Sequence, residues 1–524
     1  MKYNVLLLAI LLSSNFITAQ KAYFQQDLAY TIRVSLDDTK HELNAFETII
    51  YKNNSPDALS FIYMHLWPNA YKSTKTALAK QLKEDGNLFF NYAAMKDRGY
   101  IDSLDFKVDG QTVKFDYVEG NPDIGKIILN SPLQSGSQIE ITTPFHVKLP
   151  SGKISRLGHI DQQYQITQWY PKPAVYDKNG WQEIPYLTQG EFYSEFGTFD
   201  VFITIPKNYV LGSTGDLIDN PEEVLFMDSI ASATKLINKY DTKNDSFPAS
   251  SKQTKTLHYR QSHIHDFAWF CDKRYHVLKG EVELPHTKNK VTTWVMYTNQ
   301  YANVWKDAIA YVNDALFYYS KWNGDYTYGV CTAVDGALSA GGGMEYPNIT
   351  VIGAAPTPLL LDIVITHEVG HNWFYGMLGS NERVHGWMDE GINSANELRY
   401  VETKYPKRAL LEVPTKLTKM FDLAQYKRSA QYYLGFTFCA KTNSDQPIET
   451  HSKDFVPLNY GTIMYMKSAV VFDYLRTYLG DSLYDNCFQT YFDKWHWKHP
   501  MPEDIRAVFE QTSGKNLSWF FEDL

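Results

Sequence analysis

The sequence predicts an α+β protein of more than one domain, a mostly antiparallel β region followed by a mainly helical one. Its 524 residues exceed what one hydrophobic core organises, since domains run at roughly 100–200 residues. Up to about residue 285, short runs of alternating polar and apolar residues dominate; beyond it, apolar residues recur at helical spacing. Hydrophobic residues make up 44% and charged residues 21%, which is globular usage and excludes a mainly disordered chain.

Residues 1–19 stand apart. Lys2 precedes an apolar run over residues 5–12, and small and polar residues lead through Ala19 to Gln20. The run is too short for a membrane span of about 20 residues and reads as a secretory signal. No later stretch approaches a span, so the mature protein is expected to be exported and without a transmembrane segment.

Residues 20–284 are expected to form the β domain. Strand-like runs lie at 30–36, 46–51, 113–118, 126–129, 139–142 and 198–205, parted by turn clusters such as Val108-Asp109-Gly110 and Ser135-Gly136-Ser137. One modest helix is expected at 76–83. Residues 285–524 are expected to form the catalytic domain, with helices at 304–322, 359–378, 387–400 and 465–479 and a strand-like segment at 344–352. No internal repeat or low-complexity linker separates the halves, which are therefore expected to pack closely.

Lys and Arg number 50 against 59 Asp and Glu, a net charge of −9, which argues against a nucleic-acid binder. Cys271, Cys331, Cys439 and Cys487 are widely spaced with no CxxC, so neither a zinc ribbon nor a disulfide framework is expected. The 38 Tyr and 12 Trp suit β-rich packing and surfaces that meet carbohydrate or peptide.

The chemistry concentrates after Thr357, a good N-cap followed by Pro358 at the first helical position. His367 and His371 are four apart, so both imidazoles leave one helix face a turn apart, the spacing two nitrogens need to reach one Zn²⁺. Glu368 lies beside the first ligand, placed to act as general base on water. The bland alternative is a solvent-facing pair on an ordinary helix. Gly370, a poor helix former between the two histidines, speaks against it by allowing close backbone approach; Gly379 is expected to end the helix. A catalytic zinc needs a third protein ligand, and Glu390 follows His371 after eighteen intervening residues. Glu397, two turns further along that face, is a candidate partner for a ligand imidazole or else a surface carboxylate. His385 in the intervening loop is a weaker ligand candidate, and His263 and His265 have no carboxylate at ligand spacing.

The form HEVGHNWF…WMDEG resembles the M1 family of zinc aminopeptidases within the gluzincins. Gly342-Gly343-Met344-Glu345-Tyr346 is similar to that family's Gly-x-Met-Glu-Asn motif, and Tyr465-Met466-Lys467-Ser468 to its Tyr-x-Lys-Gly. The resemblance implies a saddle-like N-terminal β domain, a thermolysin-like catalytic domain and one Zn²⁺ per chain held by His367, His371 and Glu390. It implies Glu368 as general base and Tyr465 as the oxyanion donor, with Tyr460 its competitor. It implies that Gly342, Gly343, Met344 and Glu345 bind substrate, Glu345 holding the free α-ammonium of a peptide. Tyr346 and Ser468 depart from the motifs, and Tyr346 is placed to reshape the first substrate pocket. The further helical domain of longer relatives is absent from these residues, which implies a more open cleft or an incomplete chain. An exported aminopeptidase acting on peptides with a free N-terminus is the expectation. The alternatives are a gluzincin endopeptidase, a non-catalytic zinc scaffold and, more remotely, an epoxide hydrolase built on the same site.

Overall fold

Alternation builds the first hairpin. In Asp27–Asp37 every second residue from Leu28 to Leu36 is buried, and Glu42–Lys52 folds back on it, Leu28 opposite Tyr51 and Leu36 opposite Leu43. The computed structural model describes residues 23–336, 341–406, 415–422 and 426–523, so the expected leader at 1–19 lies outside the described residues. The hairpin sits at the centre of a nine-stranded sheet flanked by Gly197–Pro206 on one side and Gln138–Lys148 on the other. Every pairing in it is antiparallel except one: Asp27–Asp37 runs parallel to Gly197–Pro206, Leu28 opposite Gly197 and Ser35 opposite Thr204. Glu47 points into the core of this sheet with both carboxylate oxygens unpartnered, and burial pushes its pKa well above the usual carboxylate range.

Helix Ala77–Glu84 stands where the sequence places one, its N-terminus closed by Thr76 Oγ1 accepting from Ala79 N–H (3.3 Å). Helix Pro221–Lys235 is an addition to the sequence reading. Its apolar residues form no clean stripe, but Pro221 with Glu222 and Glu223 in the first turn is a start signal.

After two four-stranded sheets and a two-stranded one comes a five-stranded sheet in the spatial order His276–Glu283, Lys290–Tyr297, Val330–Asp335, Ile349–Ile352, Gly343–Tyr346. Its first strand begins ahead of the division expected at 284/285. A hairpin carries the same alternation on both sides of that point, and the change of period marks the first helix rather than the start of the sheet. The segment expected as one strand at 344–352 is a hairpin turning at Pro347-Asn348, with Asn348 in the left-handed region (φ +49°). Gly343–Tyr346 is the edge of the sheet.

The helix expected at 359–378 is a correction: it spans Pro358–Gly370, and Gly379 does not end it. Tyr375 takes φ +87° and Gly376 N–H donates back to the His371 carbonyl (2.8 Å), so the chain coils into a buried loop. Trp373, Phe374, Met377 and Leu378 are all buried there, which is why their hydrophobicity reads as helix. The helix expected at 304–322 breaks at Lys306-Asp307 into Ala302–Trp305 and Ala308–Asn323. The helix expected at 387–400 starts later, spanning Glu390–Lys404, and the one at 465–479 is Ser468–Leu479, entered through a wide π-helical segment, Tyr460–Lys467. Among the described residues no helix is long and apolar enough to cross a membrane. The halves interlock: Thr214 Oγ1 donates to the Pro347 carbonyl (2.9 Å), and His499 Nε2 meets Glu195 Oε2 (3.1 Å). The four cysteines are buried and unpaired.

Candidate active site

Thr357 Oγ1 accepts from Leu360 N–H (3.2 Å) and so fixes the start of the helix that carries the two histidines. His371 is its C-cap and keeps helical angles (φ −62°, ψ −14°), so the one-turn stacking of the imidazoles survives the helix end. Gly370 lets three helices close up. A Cβ there would lie 2.2 Å from Asn393 Oδ1 and 2.4 Å from the Tyr319 ring. Tyr319 OH donates to Asn393 Oδ1 (2.8 Å), and Asn393 Nδ2 donates to the His367 carbonyl (2.8 Å), locking helices Ala308–Asn323 and Glu390–Lys404 onto the histidine helix.

That clamp brings Glu390 to the histidines. His367 Nε2 and His371 Nε2 lie 3.1 Å apart, and Glu390 Oε2 is 3.2 Å from the first and 3.4 Å from the second. Ligands about 2.0–2.1 Å from a tetrahedral zinc are separated by roughly 3.3–3.4 Å, so the spacing and the two-imidazole, one-carboxylate donor set fit zinc. The far nitrogens are also held: His371 Nδ1 donates to Asp389 Oδ1 (2.6 Å), and His367 Nδ1 to Glu397 Oε2 (3.1 Å). Each bond turns a ring so that Nε2 offers its lone pair to the metal position. Glu397 is no surface carboxylate. Its other oxygen accepts from Arg428 Nη2 (2.7 Å) and Tyr432 OH (3.1 Å).

Glu368 is buried with Oε2 unpartnered, and burial pushes its carboxyl up to about 7 against the pull of His367 and His371. It packs against the edge strand, where a Cβ on Gly343 would fall 2.5 Å from Glu368 Oε1. Only glycine at 343 leaves that place open. Glu345, two residues on, is buried with Oε1 unpartnered, and burial raises its pKa well above the usual range. A ligand-type atom of Glu345 lies within 4.8 Å of such atoms on His371 and Asp389. Tyr465 OH donates to Glu390 Oε1, while Tyr460 OH accepts from Gly190 N–H (3.0 Å) and donates to Glu382 Oε1 (3.4 Å), away from the ligand atoms. Gly342 accepts from Gly353 N–H (2.8 Å), and Met344 Sδ lies 3.2 Å from Arg156 Nη1. Tyr346 turns toward the β half, donating to Gln168 Oε1 (3.4 Å).

His385 bonds Glu449, His263 stacks on Trp497, and His265 Nε2 donates to the Tyr375 carbonyl (3.0 Å); none joins the ligand set. Asp389, Arg428 and the ion pair Arg156–Glu191 (2.5 Å) belong to the site without a sequence expectation. Asp389 adjoins Glu390 and was within reach of the motif. No spacing rule ties residues 156, 191 or 428 to residue 368, since they arrive through tertiary packing. Next to Arg156 and Gly341 opens a cavity of about 470 Å³ walled by Tyr71, Phe89, Phe90 and Pro457.

Comparison with known proteins bears on this arrangement. Residues 311–524 match the peptidase family M1 domain. This segment belongs to peptidase family M1. Aminopeptidase M1-D of Oryza sativa subsp. japonica is 24% identical over 195 residues, which are 35% of this chain and 20% of that protein. Aminopeptidase N of Lactococcus lactis subsp. lactis is 23% identical over 195 residues, 36% of this chain and 21% of that protein. The alignments thus span about a fifth of the length of these curated relatives. Across nearly the whole chain the fold is that of the M1 zinc metallopeptidase from Deinococcus radiodurans, with a TM-score of 0.61, 14% identity, and coverage of 96% of this chain and 95% of that one. A mutant form of the Deinococcus protein, bound to the substrate Tyr-Ser-Ala, gives a TM-score of 0.59 at 12% identity over 95% of this chain and 94% of that one. Residues 311–524 contain the candidate metal group His367, His371 and Glu390 together with Glu368, Glu345 and Tyr465, whereas Arg156 and Glu191 reach the site from the β half.

Proposed function

We propose that the protein is an exported zinc aminopeptidase that removes the N-terminal residue of peptides. The observation that carries this reading is Glu345: a buried carboxylate with an unpartnered oxygen, on the sheet edge beside the ligand atoms. An uncompensated buried acid costs stability, and a substrate ammonium placed there offsets that cost with a charge-assisted bond.

When bound to His367, His371 and Glu390, zinc supplies Lewis acidity, polarising a carbonyl and lowering the pKa of water toward about 7. The chain's own groups do the rest. Glu345 holds the α-ammonium and so sets the scissile bond one residue from the peptide's end. The edge strand Gly343–Tyr346 offers its free side to an extended backbone. Glu368 accepts the proton of the attacking water and returns it to the leaving amine. Tyr465, already turned toward the ligand set, donates to the oxyanion that develops on the scissile carbonyl oxygen. The cavity beside Arg156 receives the N-terminal side chain.

The test is a set of peptides paired as free and N-acetylated forms, with chelator and zinc restoration. Single-residue release from free peptides alone, lost with chelator and regained with zinc, is expected. Glu345→Gln should narrow the gap by weakening the free substrates. Efficient internal cleavage of N-acetylated peptides would replace this reading with an endopeptidase. A mature N-terminus at Gln20, read by mass from the cell exterior or envelope, is the expectation for export; retention of residues 1–19 would refute it.

A further inference from the structure

Release of a single residue needs a fixed distance between the group that holds the ammonium and the metal, and the two lie on different elements. Glu345 is on the edge strand Gly343–Tyr346, and His371 caps the helix Pro358–Gly370. Ligand-type atoms of Glu345 and His371 come within 4.8 Å of each other. Among the described residues a single hydrogen bond joins the hairpin 343–352 to the segment 358–378: Asn348 N–H donates to Asn372 Oδ1 (2.9 Å). Asn372 directly follows His371, and its Nδ2 donates to the Val369 carbonyl (2.9 Å), which turns Oδ1 toward the hairpin. Asn348 stands three residues after Glu345, in the two-residue turn of that hairpin. With Pro347 before it and a φ of +49°, it fits a type II turn, a backbone that asparagine tolerates better than most side chains. All of its polar atoms are bonded. Asn348 Oδ1 accepts from Gly215 N–H (2.7 Å), Nδ2 donates to Gln261 Oε1 (3.3 Å), and the carbonyl accepts from Thr332 N–H (2.9 Å). Both asparagines are buried, and neither has a part in the reaction outlined above.

We infer that Asn348 is a positioning residue: its side chain, held by Gly215 and Gln261 of the β half, presses the hairpin backbone onto Asn372 and so sets the distance from Glu345 to His371. The inference rests on the aminopeptidase reading and deepens it, by naming what keeps the cut one residue from the peptide's end. A two-residue turn has little slack, and Thr350 Oγ1 donating to the Met344 carbonyl (3.1 Å) ties its two strands together, so a shift at Asn348 is passed on to Glu345. Glycine at 348 would keep the turn's backbone while removing both bonds to the β half.

The experiment uses the full-length, zinc-loaded protein and two probes, leucine hydroxamate and its desamino analogue isocaproyl hydroxamate. Both offer a hydroxamate to zinc, but only the first carries an ammonium for Glu345, so the ratio of their dissociation constants reads the spacing of the two anchors. Asn348→Gly should bind zinc and the desamino probe within about threefold of the unmodified protein, because the ligands and their supporting partners are untouched. Its preference for leucine hydroxamate should fall by about 10–100-fold, the loss that an ångström of misplacement brings. An unchanged preference overturns the inference, and so does an equal weakening of both probes, which is the mark of a merely structural residue. Asn372→Leu removes the acceptor at the other end of the connection. Combined with Asn348→Gly it should lower the preference no further than the more damaging single change does, since either change breaks the same link. Losses that add in free energy overturn the inference. If Asn372→Leu does not fold, the probe ratio of Asn348→Gly decides alone. Glu345→Gln separates this inference from the reading beneath it. If that variant keeps the full preference, the aminopeptidase reading fails and this inference with it. If it loses the preference while Asn348→Gly keeps it, this inference alone fails.

Discussion

Gly343 packs against Glu368, the residue proposed above as general base. A Cβ at 343 would stand 2.5 Å from Glu368 Oε1, and the group that must yield is the end of a flexible side chain rather than backbone. Gly343→Ala should therefore fold and bind zinc normally while lowering kcat by about 10²-fold, since a general base displaced by an ångström loses that much. Glu368→Gln, which removes the base without moving it, should cost about 10²–10⁴-fold and also retain zinc. A Gly343→Ala enzyme with normal kcat would mean that Glu368 is not the base. Glu47 allows a separate test on stability. Its folded pKa lies well above the ordinary value of 4.5, so above that pH the unfolded chain gives up the proton while the native protein keeps it. The unfolded state then binds fewer protons, and stability falls as pH rises, by about 1.4 kcal/mol per unit until the native group ionises. Glu47→Gln should remove that slope. Urea unfolding at several pH values above 4.5 reads it directly, and equal slopes in the two proteins would mean that Glu47 is ionised in the native state.

At the scale of elements the site is three helices and a sheet edge pressed together. Gly370→Ala forces a methyl group against Asn393 and Tyr319 at 2.2 and 2.4 Å, so the histidine helix must move off both neighbours. Overpacking of this kind costs about 1–3 kcal/mol. Because Asn393 also holds the His367 carbonyl, zinc affinity should fall along with the melting temperature. A loss of stability with unchanged zinc affinity would show that the helix moves as a rigid unit with Glu390. This scale also divides what was legible in the sequence. The directions of His367 and His371 follow from helical period, and the approach of Glu390 from a loop of plausible length into a second helix. The end of the histidine helix was not legible, because Trp373 to Leu378 stay buried after the backbone leaves the helix and hydropathy records only burial. The wide turn at Tyr460–Lys467 hides for a related reason: one extra residue per turn leaves the apolar pattern of that stretch looking helical. Glu191 and Arg156 lie in segments without period, and only the folded chain joins them to the site.

The whole molecule is a two-part body whose candidate site draws on both parts: Glu345 and Glu368 from one, the ion pair Arg156–Glu191 from the other. Hydrogen bonds cross between them at Pro347, Asn348, His499 and Gly190. Heating should therefore give one transition rather than two, and zinc should raise the midpoint of the entire protein. At free zinc 100 times the dissociation constant the gain is about 2.7 kcal/mol. Differential scanning calorimetry with zinc and with chelator checks this. A chelator that shifts only part of the heat absorption would show that the β half unfolds on its own.

The parallel pairing of the first strand with Gly197–Pro206 has a consequence in time. A ribosome delivers Asp27–Asp37 early, and its antiparallel neighbour Glu42–Lys52 follows at once, but the parallel partner emerges on the order of 170 residues later. At about 5–20 residues per second that is a delay of roughly 10–30 s, during which one side of a long, alternating strand has its backbone donors and acceptors unclaimed. The nascent chain thus passes through an interval in which any other extended segment nearby is a rival for that edge. A holdase, or slow passage through a confined exit, would be most valuable between the synthesis of residue 52 and that of residue 206.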